Sequence, residues 1–117
     1  MPTSALRDAR LPDTELAKKV EYLGSSVLSG GLIMDGSGTL YGGDLENRTV
    51  VSLTVTPANK LRSKVFVSDP SKLSWADGFA ISGGYLYIAG SHLWEAAFKN
   101  NLPRSAPFTI FKVKLPH

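Results

Sequence analysis

The sequence contains no cysteine. Disulfides, thiolate metal sites and cysteine nucleophiles are excluded together, and the redox compartment stays open. Long apolar runs are missing too: none approaches the roughly 18–20 residues needed to cross a bilayer, so no membrane partner is expected. The opening "MPTSALRDARLPD" lacks the apolar core of a signal peptide. Positive charge is unclustered: the net charge is +3 and the pI about 9.3, yet Lys18–Lys19 is the only adjacent basic pair. A nucleic-acid surface gathers its Lys and Arg on one face between aromatics, so nucleic acid is not an expected partner. The many serines sit on no nucleophile elbow. The glycine turns "GSG" (36–38) and "SGG" (82–84) join strand to strand without the lysine of a phosphate loop.

What is present fits one ordinary domain: 117 residues, 43% hydrophobic and 20% charged. The only helical pattern is residues 4–20, where "PDTELAKKV" predicts a short helix capped by Asp13 or Thr14. "VEYLG" (20–24) reads as a brief strand. From Gly30 the texture becomes β. "GLIM" is closed by the turn "DGSG", "TLYGG" returns, and "RTVVSLTV" and "SKVFVS" follow as third and fourth strands. "GFAI", the turn "SGG", "YLYIA" and "FTIFKVKL" make a second set. Between its last two strands "HLWEAAFKNNLP" is a loop or one helical turn, with Trp94 and Phe98 as an apolar plug. Asp44 and Glu46 read as a turn, and "NRT" (47–49) fits the N-glycosylation pattern.

The two sets are imperfect copies. Gly31 matches Gly78, Leu32 matches Phe79, Met34 matches Ile81 and Gly36 matches Gly83, all 47 residues apart. One residue is lost in the turn, and Leu40-Tyr41 then matches Leu86-Tyr87 at a spacing of 46. A period of 40–50 residues with up to four short strands marks a β-propeller blade. The expected fold is therefore all-β, two blades of a propeller behind a short N-terminal helix. Residues 25–70 form one blade, 71–117 a blade lacking its outer strand, and 1–24 a segment completing a neighbouring blade. Two blades cannot close a ring, since closure needs at least about four. The expected partner is thus the chain itself. Three copies give six blades in a closing head-to-tail assembly, the strand around Val20–Leu23 of one completing the last blade of the next. A piece of a larger propeller is the alternative.

"PTSALRD", "VEYLGSSVLSGGLIMDGSGTLYGGDLENRTV" and "WADGFAI…YLYIAGSHL" together resemble the major royal jelly protein/yellow family, in its bacterial and fungal form. The likeness covers nearly the whole chain but only about the C-terminal third of a full member. It implies a six-bladed propeller binding a small molecule, aromatic amines in some insect members, in or near the channel, and a secreted or periplasmic setting. Tautomerase activity is claimed for other members. In the related gluconolactonase group a channel metal is held by carboxylate and amide side chains.

Loops entering the innermost strands would line the channel mouth, and they carry Ser29, Trp75 and Asp77. The resemblance places Asp77 where the gluconolactonase group has a carboxylate ligand, making it the candidate for a divalent metal such as calcium, or a catalytic base. Calcium takes about six to eight oxygens, so one carboxylate needs waters or symmetry mates. Asp before Gly also caps its own turn in many proteins. Ser29 replaces an amide ligand of that group, and Ala76 and Gly78 depart from the insect "PDTF". His92 follows the second strand of the later set, near where ligand binders of the family carry an Asn, and Trp75 could stack on a ligand or pack between blades. His117 reads as terminal and disordered. The functional expectation is a small-molecule-binding protein; a metal-dependent lactone hydrolase or tautomerase, or an inactive scaffold, are the alternatives.

Overall fold

The computed structural model describes residues 1–92 and 108–117. The fold is all-β, with two antiparallel sheets of four and three strands and two short helices. The first sheet runs β1 (Leu32–Met34), β2 (Leu40–Asp44), β3 (Thr49–Val55) and β4 (Leu61–Ser68) in sequence order. The second runs β5 (Ala76–Ser82), β6 (Tyr85–Gly90) and β7 (Thr109–Lys114). Trp94, Phe98 and the rest of the predicted plug lie outside the described residues.

The internal copy holds residue for residue in the strand register. Leu32, Ile33 and Met34 pair with Gly42, Tyr41 and Leu40, while Phe79, Ala80 and Ile81 pair with Ile88, Tyr87 and Leu86. The lost residue is a matter of turn type. Five residues, Asp35–Thr39, lie between the paired Met34 and Leu40, and four, Ser82–Tyr85, between their counterparts Ile81 and Leu86; there Ser82 pairs with Tyr85, and Gly83 and Gly84 form a two-residue turn with φ of 56° and 81°. Both angles are left-handed, as a tight primed hairpin turn requires.

Alternation builds one core between the sheets. Tyr41 and Val50 from the first meet Leu86 and Ile88 from the second, joined by Leu73, Ala76 and Leu115. Ile33, Phe66, Ile81, Phe111 and Val113 fill its margins. Side chains one position along each strand point the other way. Val51 and Leu53 are buried there, outside this core, whereas Leu32, Met34 and Val65 are exposed.

The N-terminal part departs from expectation twice. The short helix expected within 4–20 is present as α2 (Asp13–Ala17), but a second of five residues, α1 (Thr3–Arg7), precedes it. Pro12 explains the break: it has no N–H to give a continuing helix and biases Leu11 toward extended backbone. Pro12 itself occupies the N-cap, with no side-chain cap bond, so neither Asp13 nor Thr14 caps; Asp13 and Glu15 instead place carboxylates in the first turn, where the helix dipole favours them. Val20–Leu23 is not a strand either. Its Val20 N–H donates to the Ala17 carbonyl at 3.2 Å and its Leu23 carbonyl accepts from the Leu61 N–H at 2.8 Å, and Val20 and Tyr22 are exposed. Among the described residues no helix is long and apolar enough to cross a membrane.

Candidate functional site

The two edge strands β1 and β5 lie against one another. Glycine makes this possible. A Cβ at Gly31 would collide with the Asp77 carbonyl, and one at Gly43 with the carbonyl of Ala76. The chain leading into β1 is thereby pressed onto the start of β5, and a Cβ at Gly30 would stand 3.0 Å from that of Asp77.

At that point β5 is irregular. Ala76 pairs with Gly90 and Gly78 with Ala89, which leaves Asp77 as the extra residue of a β-bulge. Bulges re-aim a side chain and interrupt pairing, and they recur beside functional sites. The ladder resumes beyond the bulge, where the Ser91 N–H donates to the Trp75 carbonyl at 2.9 Å.

All four candidates from the sequence sit at this end of the sheets, in two groups. Ser29 stands beside the Gly30–Asp77 contact, but its hydroxyl donates to the Gly31 carbonyl at 2.8 Å and so closes its own turn. His92 Nδ1 and the buried Ser74 hydroxyl share a hydrogen bond of 3.0 Å next to Trp75. The neighbouring Ser91 hydroxyl is buried without a hydrogen-bond partner among the described residues. Trp75, Asp77 and His92 are each half-buried. The backbone of the bulge sets the position of Asp77.

Among the described residues no three His, Asp or Glu side chains come together as ligands, far from the oxygen count calcium needs. The end of the sheets offers instead one carboxylate, one imidazole, one indole and a buried hydroxyl, a set suited to holding a small polar or aromatic molecule by hydrogen bonding and stacking.

The opposite end carries a polar network that sequence reasoning missed. Asp35, in the β1–β2 turn, is buried. One carboxylate oxygen accepts from the Ser37 N–H (2.9 Å), the Ser37 hydroxyl (2.7 Å) and the Thr39 N–H (3.0 Å). The other accepts from the Tyr41 hydroxyl at 3.4 Å and lies 2.9 Å from His117 Nε2. An ionised carboxylate only accepts, so the imidazole donates. Burial pushes the Asp35 carboxyl up, but the Ser37 hydroxyl, the Thr39 and Ser37 amides and His117 together outweigh it, and its pKa falls to about 2. The same burial, with the Asp35 charge behind it, raises the Tyr41 phenol above its ordinary value. His117 is thus tethered to the turn rather than disordered. Together with Tyr41, Ser52, Thr54, Lys64 and Phe66 it lines a cleft of about 470 Å³. "DGSGT" announces the local part of this network as an Asx turn; nothing in the sequence announces a partner 82 residues away.

Asp44 behaves as read: its carboxylate accepts from the Glu46 and Asn47 amides at 3.1 Å each and from the Asn47 side chain at 2.7 Å, closing the β2–β3 turn. When compared with the known protein families and with curated proteins, the chain matches none of them.

Proposed function

We propose that the chain is a small-molecule-binding module of β-propeller type, similar to the royal jelly/yellow proteins, its two sheets serving as two of six blades. The observation that carries the reading is the contact of the edge strands β1 and β5, with the Asp77 bulge where they meet. In a propeller the first strand of every blade faces the channel, and the loops entering those strands form its mouth. On this reading Ser29, Trp75, Asp77 and His92 surround the mouth. Asp77 accepts from a ligand ammonium or hydroxyl, Trp75 stacks on an aromatic ring, and His92 hydrogen-bonds from the rim. Closure requires further blades, and three copies of the chain would supply six.

The test is titration of intrinsic fluorescence with an aromatic amine such as tyramine, in a Trp94→Phe background that leaves Trp75 as the reporter. Saturable quenching that Asp77→Asn weakens at least tenfold is the expected result. Quenching that is linear in amine, or unchanged by Asp77→Asn, would sink the reading.

A further inference from the structure

We infer that the outer face of the second sheet in one copy packs on the exposed β1 side of the first sheet's outer face in the next, head to tail. The inference rests on the propeller reading and adds to it the surfaces that meet. Within the chain, the first sheet presents Ile33 and Tyr41 to the second, which presents Ile81 and Leu86 in return. The repeat assigns each of these residues a counterpart in the other sheet: Tyr87 for Tyr41, Ala80 for Ile33, Leu40 for Leu86 and Met34 for Ile81. The counterparts lie on the two outer faces, which are enclosed less completely: Val51 and Leu53 are buried on that of the first sheet, but its β1 side is exposed. Tyr41 is 1% exposed and Leu86 fully buried, yet Met34 is 58% exposed, and Tyr87 and Leu40 are half-buried.

Each outer face is thus the repeat image of a face that the chain already covers. The face that covers Tyr41 carries Ile81 and Leu86; the face able to cover Tyr87 carries Met34 and Leu40, and a second copy supplies it. Shape agrees with sequence. The outer face of the second sheet has an apolar hollow of about 240 Å³ between Gly78, Ala80, Tyr87, Ala89 and Ile110. The first sheet offers Leu32, 55% exposed, and Met34 as projecting apolar groups, and methionine adapts readily to such a hollow. Ala89 stands where the first sheet has Gly43, so the backbones stay further apart between copies than within the chain. The contact is heterologous, and it makes a closed ring when the rotation per copy is one third of a turn.

The chain, cysteine-free and taken whole, allows a direct test. Light scattering is expected to give a mass near three times 12.6 kDa. Met34→Asp and Ile110→Asp, one on each face, are each expected to lower it threefold while the circular dichroism spectrum is kept, because both side chains are exposed in the single chain. Ala80→Cys combined with Met34→Cys should form an intermolecular disulfide on oxidation. If the wild type assembles and both aspartate variants still do, the assigned faces are wrong while assembly from copies stands. If the wild type is monomeric at high concentration, both fall, and the tyramine titration on that monomer decides separately whether the ligand reading survives.

Discussion

Tyr41 and Tyr87 occupy the same place in the repeat and meet opposite fates. Tyr41 is enclosed between the sheets, edge-on to Phe66 at 5.0 Å between ring centres and with its hydroxyl near Asp35. Tyr87 lies half-exposed on the far side of the second sheet. Their strands, register and neighbours along the chain are alike, so local sequence does not set the difference. It is set by whether a second sheet stands opposite. Each sheet of this protein has two apolar faces; the chain encloses the facing pair, buries Val51 and Leu53 on the far face of the first sheet, and leaves Leu32, Met34 and Ile110 exposed.

The comparison breaks most visibly under truncation. Tyr41→Ala should destabilise by about 3–5 kcal/mol, through lost burial and the cavity left behind. Tyr87→Ala should cost about 1 kcal/mol at low protein concentration, where its face is wet. Urea unfolding of both variants measures the gap. If copies cover Tyr87, the gap narrows as protein concentration rises, because assembly then contributes to stability; a gap independent of concentration would place Tyr87 outside any interface between copies.

Gly43 and Ala89 sharpen the same contrast on the backbone. They are counterparts in the repeat, but the first sheet has no room for a methyl group because the Ala76 carbonyl of β5 lies against it. Gly43→Ala should therefore cost about 1–3 kcal/mol by overpacking, whereas Ala89→Gly should move stability by about 1 kcal/mol or less. Equal costs in thermal unfolding would mean that β2 and β5 are not in contact.

The legible parts of the fold are those that depend on neighbours in sequence. All seven strands announce themselves through alternation and Gly-rich turns, and the shared register of Tyr41 and Tyr87 follows from aligning the two halves. The run "VEYLG" (20–24) has strand-like residues but meets the edge strand β4 through the single Leu23–Leu61 bond, too little to make a ladder. Pro12 was visible in the sequence, and its effect on the helix follows from its missing donor. At the candidate site the residue types were readable and their arrangement was not. That Asp77 is a bulge depends on how β5 is hydrogen-bonded to β6, and that Gly30 and Gly31 lie against it depends on how the two sheets pack. The Asp35–His117 contact joins the two sheets across most of the chain and has no local signature at all.

Asp35 supplies the smallest test of the contrast, because its counterpart in the second sheet is Ser82, an exposed residue in a turn of glycines. One turn is closed by a buried charge and the other by backbone conformation, so only the first should respond to acid. The Asp35 carboxyl has a pKa of about 2 in the folded chain against an ordinary 3.8. The unfolded chain therefore takes up this proton first as pH falls. The stabilisation is fully present above about pH 4, declines through the window between the two values, and is gone below about pH 2. It should amount to about 2 kcal/mol. Asp35→Asn removes the charge, so its stability should show no contribution from this site across that window, while Ser82→Ala should follow the wild-type profile. Urea midpoints between pH 2 and 5 report all three chains. A wild type and an Asp35→Asn variant that lose stability in parallel would mean that the carboxylate does not hold the turn, and that the two halves of the repeat close their hairpins in the same way.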